Sequence, residues 1–153
     1  MLKLENINKI FNEGTPDEKV ALDNINLHLK PGDFVTIIGS NGAGKSTMMN
    51  MISGALLPDL GNVWIDGNNV TRLPEYKRSR YIGRVFQDPM AGTAPTMTIE
   101  ENLAIAYSRN AKRTLRLGVN RSRRDFFRTS LEKLGLNLEN RLNAKAGLLS
   151  GGV

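Results

Sequence analysis

The stretch Phe34 to Asn50, FVTIIGSNGAGKSTMMN, constrains the chain more than any other. A short apolar run of strand composition meets a glycine-rich turn, and residues able to start a helix follow. Gly39, Gly44, Lys45 and Ser46 satisfy GxxxxGK[ST], and Gly42 adds a third position where the backbone can bend without a Cβ in the way. Such a loop can wrap a polyphosphate. Its successive N–H groups point inward as an anion nest, the helix behind it contributes a positive end, and Lys45 adds a mobile cation. Ser46 is left to hold Mg²⁺ through its hydroxyl.

Around this stretch the sequence predicts two kinds of structure. Leu2, Leu4, Ile7, Ile10 and Phe11 read as a strand with imperfect alternation, and Asn12 to Lys19 as a polar loop. Leu22, Ile25, Leu27 and Leu29 read as a second strand, with His28 on its solvent side and no second metal ligand at suitable spacing. A turn at Lys30 to Asp33 then leads into a strand over Phe34 to Ile38. The helix beginning at Lys45 runs to about Ser53, where Gly54 can cap it. A short strand over Asn62 to Ile65 precedes a hairpin-type turn at Asp66, Gly67 and Asn68. Pro74 to Arg80 suits a short helix with proline in its first turn, and Tyr81 to Phe86 reads as a buried strand.

Beyond Phe86 the character changes. Gln87, Asp88 and Pro89 end the last expected strand, and Met90 to Met97 is a loop of small residues. Thr98 and Glu101 form a capping box before a helix through Tyr107. Ser122 with Asp125 suggests the N-cap of a further helix through Leu134, closed by Gly135. No strand is predicted from about Met90 onward. The expected division is a β-rich nucleotide part at 1–89 and a helical part at 90–153.

Charge sharpens that division. The formal net charge is +6, yet eight basic residues (Arg109, Lys112, Arg113, Arg116, Arg121, Arg123, Arg124, Arg128) stand against Asp125 alone between 109 and 128. That segment carries +7 and the remainder of the chain −1. A solvated face, an anionic membrane surface and nucleic acid are all compatible with such a run. No apolar run approaches a membrane span, and the first residues, MLKLENINKIF, lack the apolar centre of a signal peptide. Cysteine is absent, which excludes thiolate metal sites. No NKxD guanine-reading motif occurs, which disfavours a GTPase.

The ordered set of motifs resembles the ATP-binding subunits of ABC transporters: GSNGAGKST, then Pro58 and Gly61 with Ile65-Asp66-Gly67, then VFQDP ending at Pro89, then LLSGG. The fold this implies is α/β: a P-loop NTPase (RecA-like) core with an N-terminal antiparallel β-subdomain and a helical subdomain, the C-terminal part of the core missing. By the same resemblance Phe11 stacks on adenine, Val20 adds an apolar contact, and residues Gly39, Ser40, Asn41, Gly42, Ala43, Gly44, Lys45, Ser46 and Thr47 cradle the phosphates. Lys45 and Gln87 take the catalytic places, with Ser46 and Gln87 on Mg²⁺. The Gln87 segment and the groove near Thr98 to Tyr107 receive a helix of a transmembrane permease subunit.

Ser150, Gly151 and Gly152 resemble the signature that binds the γ-phosphate of ATP held by a second ATP-binding subunit, which requires a head-to-tail dimer. The expected cofactors are ATP and Mg²⁺, the expected location is the cytoplasmic side, peripheral on the inner membrane face, and nucleic acid is not expected as a partner. After Gly152 the family pattern continues with glutamine, where this sequence has Val153. The Mg²⁺-binding aspartate, catalytic glutamate and switch histidine of the family have no counterpart here, so the 153 residues are expected to bind ATP and to hydrolyse little or none. Two core strands of the family are likewise expected to be lacking, which would leave the apolar runs at 34–38 and 81–86 uncovered and the chain prone to self-association. The alternatives are a soluble ABC-type ATPase acting on nucleic acid or the ribosome, and a nucleotide-binding module without turnover.

Overall fold

Asparagines explain why the first strand alternates imperfectly. In the computed structural model, which describes residues 1–110 and 118–149, β1 (Leu2–Phe11) pairs antiparallel with β2 (Lys19–Leu29), Leu2 opposite Leu29 and Leu4 opposite Leu27. The register shifts on either side of Ile7, where Asn6 (φ 49) and Asn24 (φ 46) enter the left-handed region that asparagine tolerates best among residues with a side chain. The tripeptide Asn-Ile-Asn occurs in both strands, and the two copies satisfy each other. Asn6 N donates to Asn26 Oδ1 (2.9 Å) and Asn24 N to Asn8 Oδ1 (3.0 Å). The bulges therefore leave those two amides paired and Ile7 fully buried.

β3 (Leu60–Ile65) pairs with the other edge of β1 and continues into β4 (Asn68–Asn69), giving the antiparallel order β2-β1-β3-β4. Asp66 (φ 48) and Gly67 (φ 77) are both left-handed, as a two-residue hairpin joining right-twisted strands requires. Across this sheet lies α1 (Lys45–Ser53), whose Met48 and Met51, one turn apart, pack with Leu4, Ile7, Leu22 and Val63.

The strands expected over Phe34 to Ile38 and Tyr81 to Phe86 do not form. Phe34 is 94% exposed, Ile38 89% and Val85 97%; only Ile37, Tyr81 and Ile82 from the two runs lean on the core. Apolar composition alone cannot make a strand, because the ladder needs a neighbour's amides and carbonyls, and none of the strands among the described residues pairs with either run. Boundaries also differ. Pro74 is the N-cap of α2 (Glu75–Arg78) rather than a residue of its first turn, β3 starts two residues before the expected Asn62, and Asn68, expected in the turn, opens β4.

The chain divides into compact units at Met1–Gly83 and Arg84–Val153. In the second, α3 (Ile99–Tyr107) and α4 (Arg121–Glu132) enclose Ile99, Ala104, Phe127, Leu131 and Leu142. The capping box of α3 is complete: Glu101 N donates to Thr98 Oγ1, and Thr98 N to Glu101 Oε2 (2.7 Å). The cap of α4 is Asn120, not Ser122, with Arg123 N donating to Asn120 Oδ1 at 2.9 Å. Asparagine is as good a cap as serine and sits two residues earlier, so the helix starts there and Ser122 falls inside it. Segment 142–147 returns beside the start of α3, with Ile99 N on Ala144 O and Ala146 N on Met97 O, both 2.9 Å.

Candidate functional site

Between Ser40 and Ala43 the chain turns, Ala43 N donating to Ser40 O at 3.2 Å. Gly42 (φ 85) and Gly44 (φ 81) hold the left-handed conformations that aim consecutive amides to one side. A Cβ on Gly44 would stand 2.4 Å from Ala21 O, so only glycine lets the loop lie this close to β2. Gly44 is also the N-cap of α1, and no side chain bonds to the first amides of that helix. Those N–H groups and the helix's positive end are the chemistry that binds a phosphate.

Lys45 opens α1 and folds back over the loop, its Nζ donating to Gly39 O and Ser40 O, each at 2.7 Å. The ammonium is thus tied to the start of the loop. Ser46 is exposed and Thr47 half-buried in the first turn of α1. This donor set, with exposed hydroxyls on Ser40 and Ser46 and no carboxylate in the cradle, fits a polyphosphate whose charge is shared between Lys45 and a divalent ion on Ser46. Among the described residues no group of three or more His, Asp or Glu side chains could hold a metal by itself.

At the far ends of β1 and β2, Phe11 is half-buried and lies outside the core cluster, with Lys9 Nζ 5.6 Å from its ring centre. Lys19 is opposite Phe11 and Val20 opposite Ile10, and Val20 is more than half exposed. This arrangement suits a flat ring laid against Phe11 and Val20.

Three residues escaped the sequence reading. Lys19 brings a second ammonium to the loop: a Cβ on Gly42 would be 3.5 Å from its Nζ. Arg78 is fully buried and braces the other end of α1, donating from Nη1 to Met51 O (2.6 Å) and Ile52 O (3.2 Å), from Nη2 to Thr71 O (2.7 Å) and from Nε to Leu73 O (2.9 Å). Burial pushes its pKa down from the usual arginine value, and the carbonyl end of the helix dipole offsets part of that cost. Its one sequence signal is a basic residue closing a proline-led helical turn. In the second unit Asn102 ties the loop after Gln87 to α3, accepting from Ala94 N (2.8 Å) and donating to Ala94 O and Thr98 O (each 3.0 Å).

Gln87 is exposed and belongs to the second unit, whereas the cradle belongs to the first. Ser150, Gly151 and Gly152 lie outside the described residues, as do Lys112, Arg113 and Arg116 of the basic run. The approach to the signature is held, with Gly147 N on Pro95 O at 3.0 Å and Leu149 packed against the second core. Of the remaining basic residues, Arg124 makes a two-pronged contact with Glu100 (2.7 and 2.9 Å), and Arg123 donates to Gly118 O at 2.6 Å while lying over Tyr107.

Compared with known proteins, residues 22–153 match the family described as ABC transporter. The chain belongs to that family. It is 39% identical over 156 residues to a tyrosine transport ATP-binding protein of Clostridioides difficile, covering 99% of this chain and 60% of the relative. It is also 37% identical over 105 residues to the osmoprotectant import ATP-binding protein OsmV of Salmonella typhimurium, covering 69% of this chain and 27% of the relative. A dimeric ATP-binding cassette in a post-hydrolysis state with ADP and Pi superposes with TM-score 0.75 at 34% identity, covering 99% of this chain and 64% of that one. A nucleotide-free cassette from an ABC transporter gives TM-score 0.73 at 32% identity, covering 99% and 60%. This is the ABC cassette fold, a P-loop NTPase with an antiparallel N-terminal sheet, and the chain spans less than two thirds of the length of these proteins.

Proposed function

We propose that these residues form the ATP-gripping part of a subunit that powers a membrane transporter. The uncapped start of α1, with the Lys45 ammonium tied to the loop before it, carries the reading. In it, the amides from Gly42 to Thr47 take the β- and γ-phosphates, Lys45 moves from the loop carbonyls to the terminal phosphates, and Ser46 holds Mg²⁺. Phe11 and Val20 carry the base, and Lys19 adds charge from the side of β2. Gln87 reports Mg²⁺ and γ-phosphate state from its own segment.

Two cassettes meet head to tail in this reading, Ser150 to Gly152 of each closing the site of the other, since a cradle open on one side leaves the terminal phosphate in water. The relative with ADP and Pi is dimeric, in keeping with this. A permease subunit docks on the second unit, where Ile105, Tyr107 and Phe126 are exposed, and that places the protein on the inner face of the membrane. Among the described residues no helix is long and apolar enough to cross a membrane itself. The internal bonds of Arg123 and Arg124 favour a structural over a nucleic-acid-binding use of the basic run. ATP binding by these 153 residues outstrips hydrolysis, because neither Lys45 nor Gln87 is a general base for water.

Calorimetric titration with Mg-ATP, run beside Lys45→Ala, tests the reading. Binding that the substitution weakens about hundredfold is expected, as a charge-assisted contact contributes up to ~3 kcal/mol. Equal affinity of the two proteins would refute it.

A further inference from the structure

The sequence contains a single Asn-Gly pair, Asn41-Gly42, and it falls at the tip of the phosphate-binding turn. We propose that Asn41 is a site of spontaneous deamidation, so that the cradle ages into a form bearing an acid where phosphates bind. The consequence for nucleotide rests on the function proposed above; the chemistry does not.

The step needs a deprotonated Gly42 amide to reach Cγ of Asn41. Gly42 N forms the bond to Cγ, the Cγ–Nδ2 bond breaks, and the side-chain nitrogen leaves as ammonia with a proton from solvent. Water then opens the cyclic imide at one of its two carbonyls. One opening gives aspartate, the other isoaspartate with the main chain rerouted through Cβ. No oxidant or reductant enters.

Three observations converge on this pair. Asn41 and Gly42 are both exposed and lie outside any helix or strand, so the peptide between them can swing without breaking a ladder. Gly42 has no Cβ to shield its nitrogen, and the space beside it holds only the end of Lys19 within 4 Å of where a Cβ would be. That neighbour is a cation, and a second one, the Lys45 ammonium, sits on the carbonyls of Gly39 and Ser40. Positive charge close to an amide favours its deprotonated form, the nucleophile here. The arrangement that attracts phosphate therefore also promotes loss of the amide that borders it. Bound nucleotide opposes the reaction by holding the turn and neutralising both cations.

Fresh protein and protein held for days at mildly alkaline pH, with and without Mg-ATP, are to be compared by peptide mapping with mass spectrometry and by calorimetric Mg-ATP binding. Asn41→Gln, which would need a larger and slower-forming ring, is aged in parallel. The expected result is conversion at Asn41 ahead of the exposed Asn12 and Asn68, protection by Mg-ATP, and affinity at least about tenfold lower in the converted fraction, as a carboxylate beside phosphates requires. Aged Asn41→Gln should bind as its own fresh sample does. Asn41 converting no faster than Asn12 and Asn68 overturns the site, and unchanged affinity after conversion overturns its consequence. Should fresh protein not bind ATP at all, the proposed function fails while mapping still judges the modification.

Discussion

α1 and α3 have the same length and opposite ends. The head of α3 is closed by its own side chains, Thr98 and Glu101 taking up first-turn donors, while its tail relies on Ser108 N bonding to Ala104 O and Ala106 O. The head of α1 has no side-chain cap, while its tail is closed twice, by the left-handed Gly54 and by the buried guanidinium of Arg78. Every helix begins with amides that lack an internal partner. A helix whose head meets no ligand can take its cap from its own sequence; under the function proposed above, the head of α1 leaves those donors open and the helix is held at its other end.

Substitutions can break this contrast in order of size. Arg78→Ala should cost about 4 kcal/mol in chemical unfolding of the first unit, since it strands buried carbonyls and opens a cavity. A loss below ~1 kcal/mol would mean that the tail of α1 does not depend on the clamp. Next in size is Lys45→Ala, with its loss of up to ~3 kcal/mol in Mg-ATP affinity and little change in thermal stability, because its bonds to Gly39 O and Ser40 O are exposed. Thr98→Ala gives the mirror image: about 1 kcal/mol lost from stability of the second unit, and Mg-ATP affinity unchanged in the same titration.

The smallest effect is on pH. Accepting the Thr98 amide, and then its hydroxyl, holds the Glu101 carboxyl below its ordinary pKa. A carboxyl lowered on folding contributes stability that is complete above its unfolded-state pKa and is lost as pH falls through the folded-state value. Melting curves of the parent and Glu101→Gln should thus differ at neutral pH and converge in acid.

Much of this contrast could be read from residues in a row. The glycine-rich turn leading into a helix at Lys45, the Thr98 box and the Gly54 stop are local patterns whose physics is complete within a few positions, and they appear where expected. The runs at 34–38 and 81–86 mislead because composition records only what a strand would bury, while pairing depends on distant segments. Arg78 is hidden for the converse reason. An arginine is ordinarily a surface residue, and its interior place depends on the carbonyls of Met51, Ile52, Thr71 and Leu73 meeting at one point. The approach of Lys19 to the loop is equally nonlocal, arising from the run of β2 past Gly42.

The bracing of α1 by Arg78 makes that helix a cantilever. Load applied at the free tip is resisted at a wall that also holds Thr71 and Leu73, on the stretch running from β4 to the turn at Arg78. Any tilt of the tip is thereby passed first to Thr71, Leu73 and the short helix that Arg78 closes, all within the first unit.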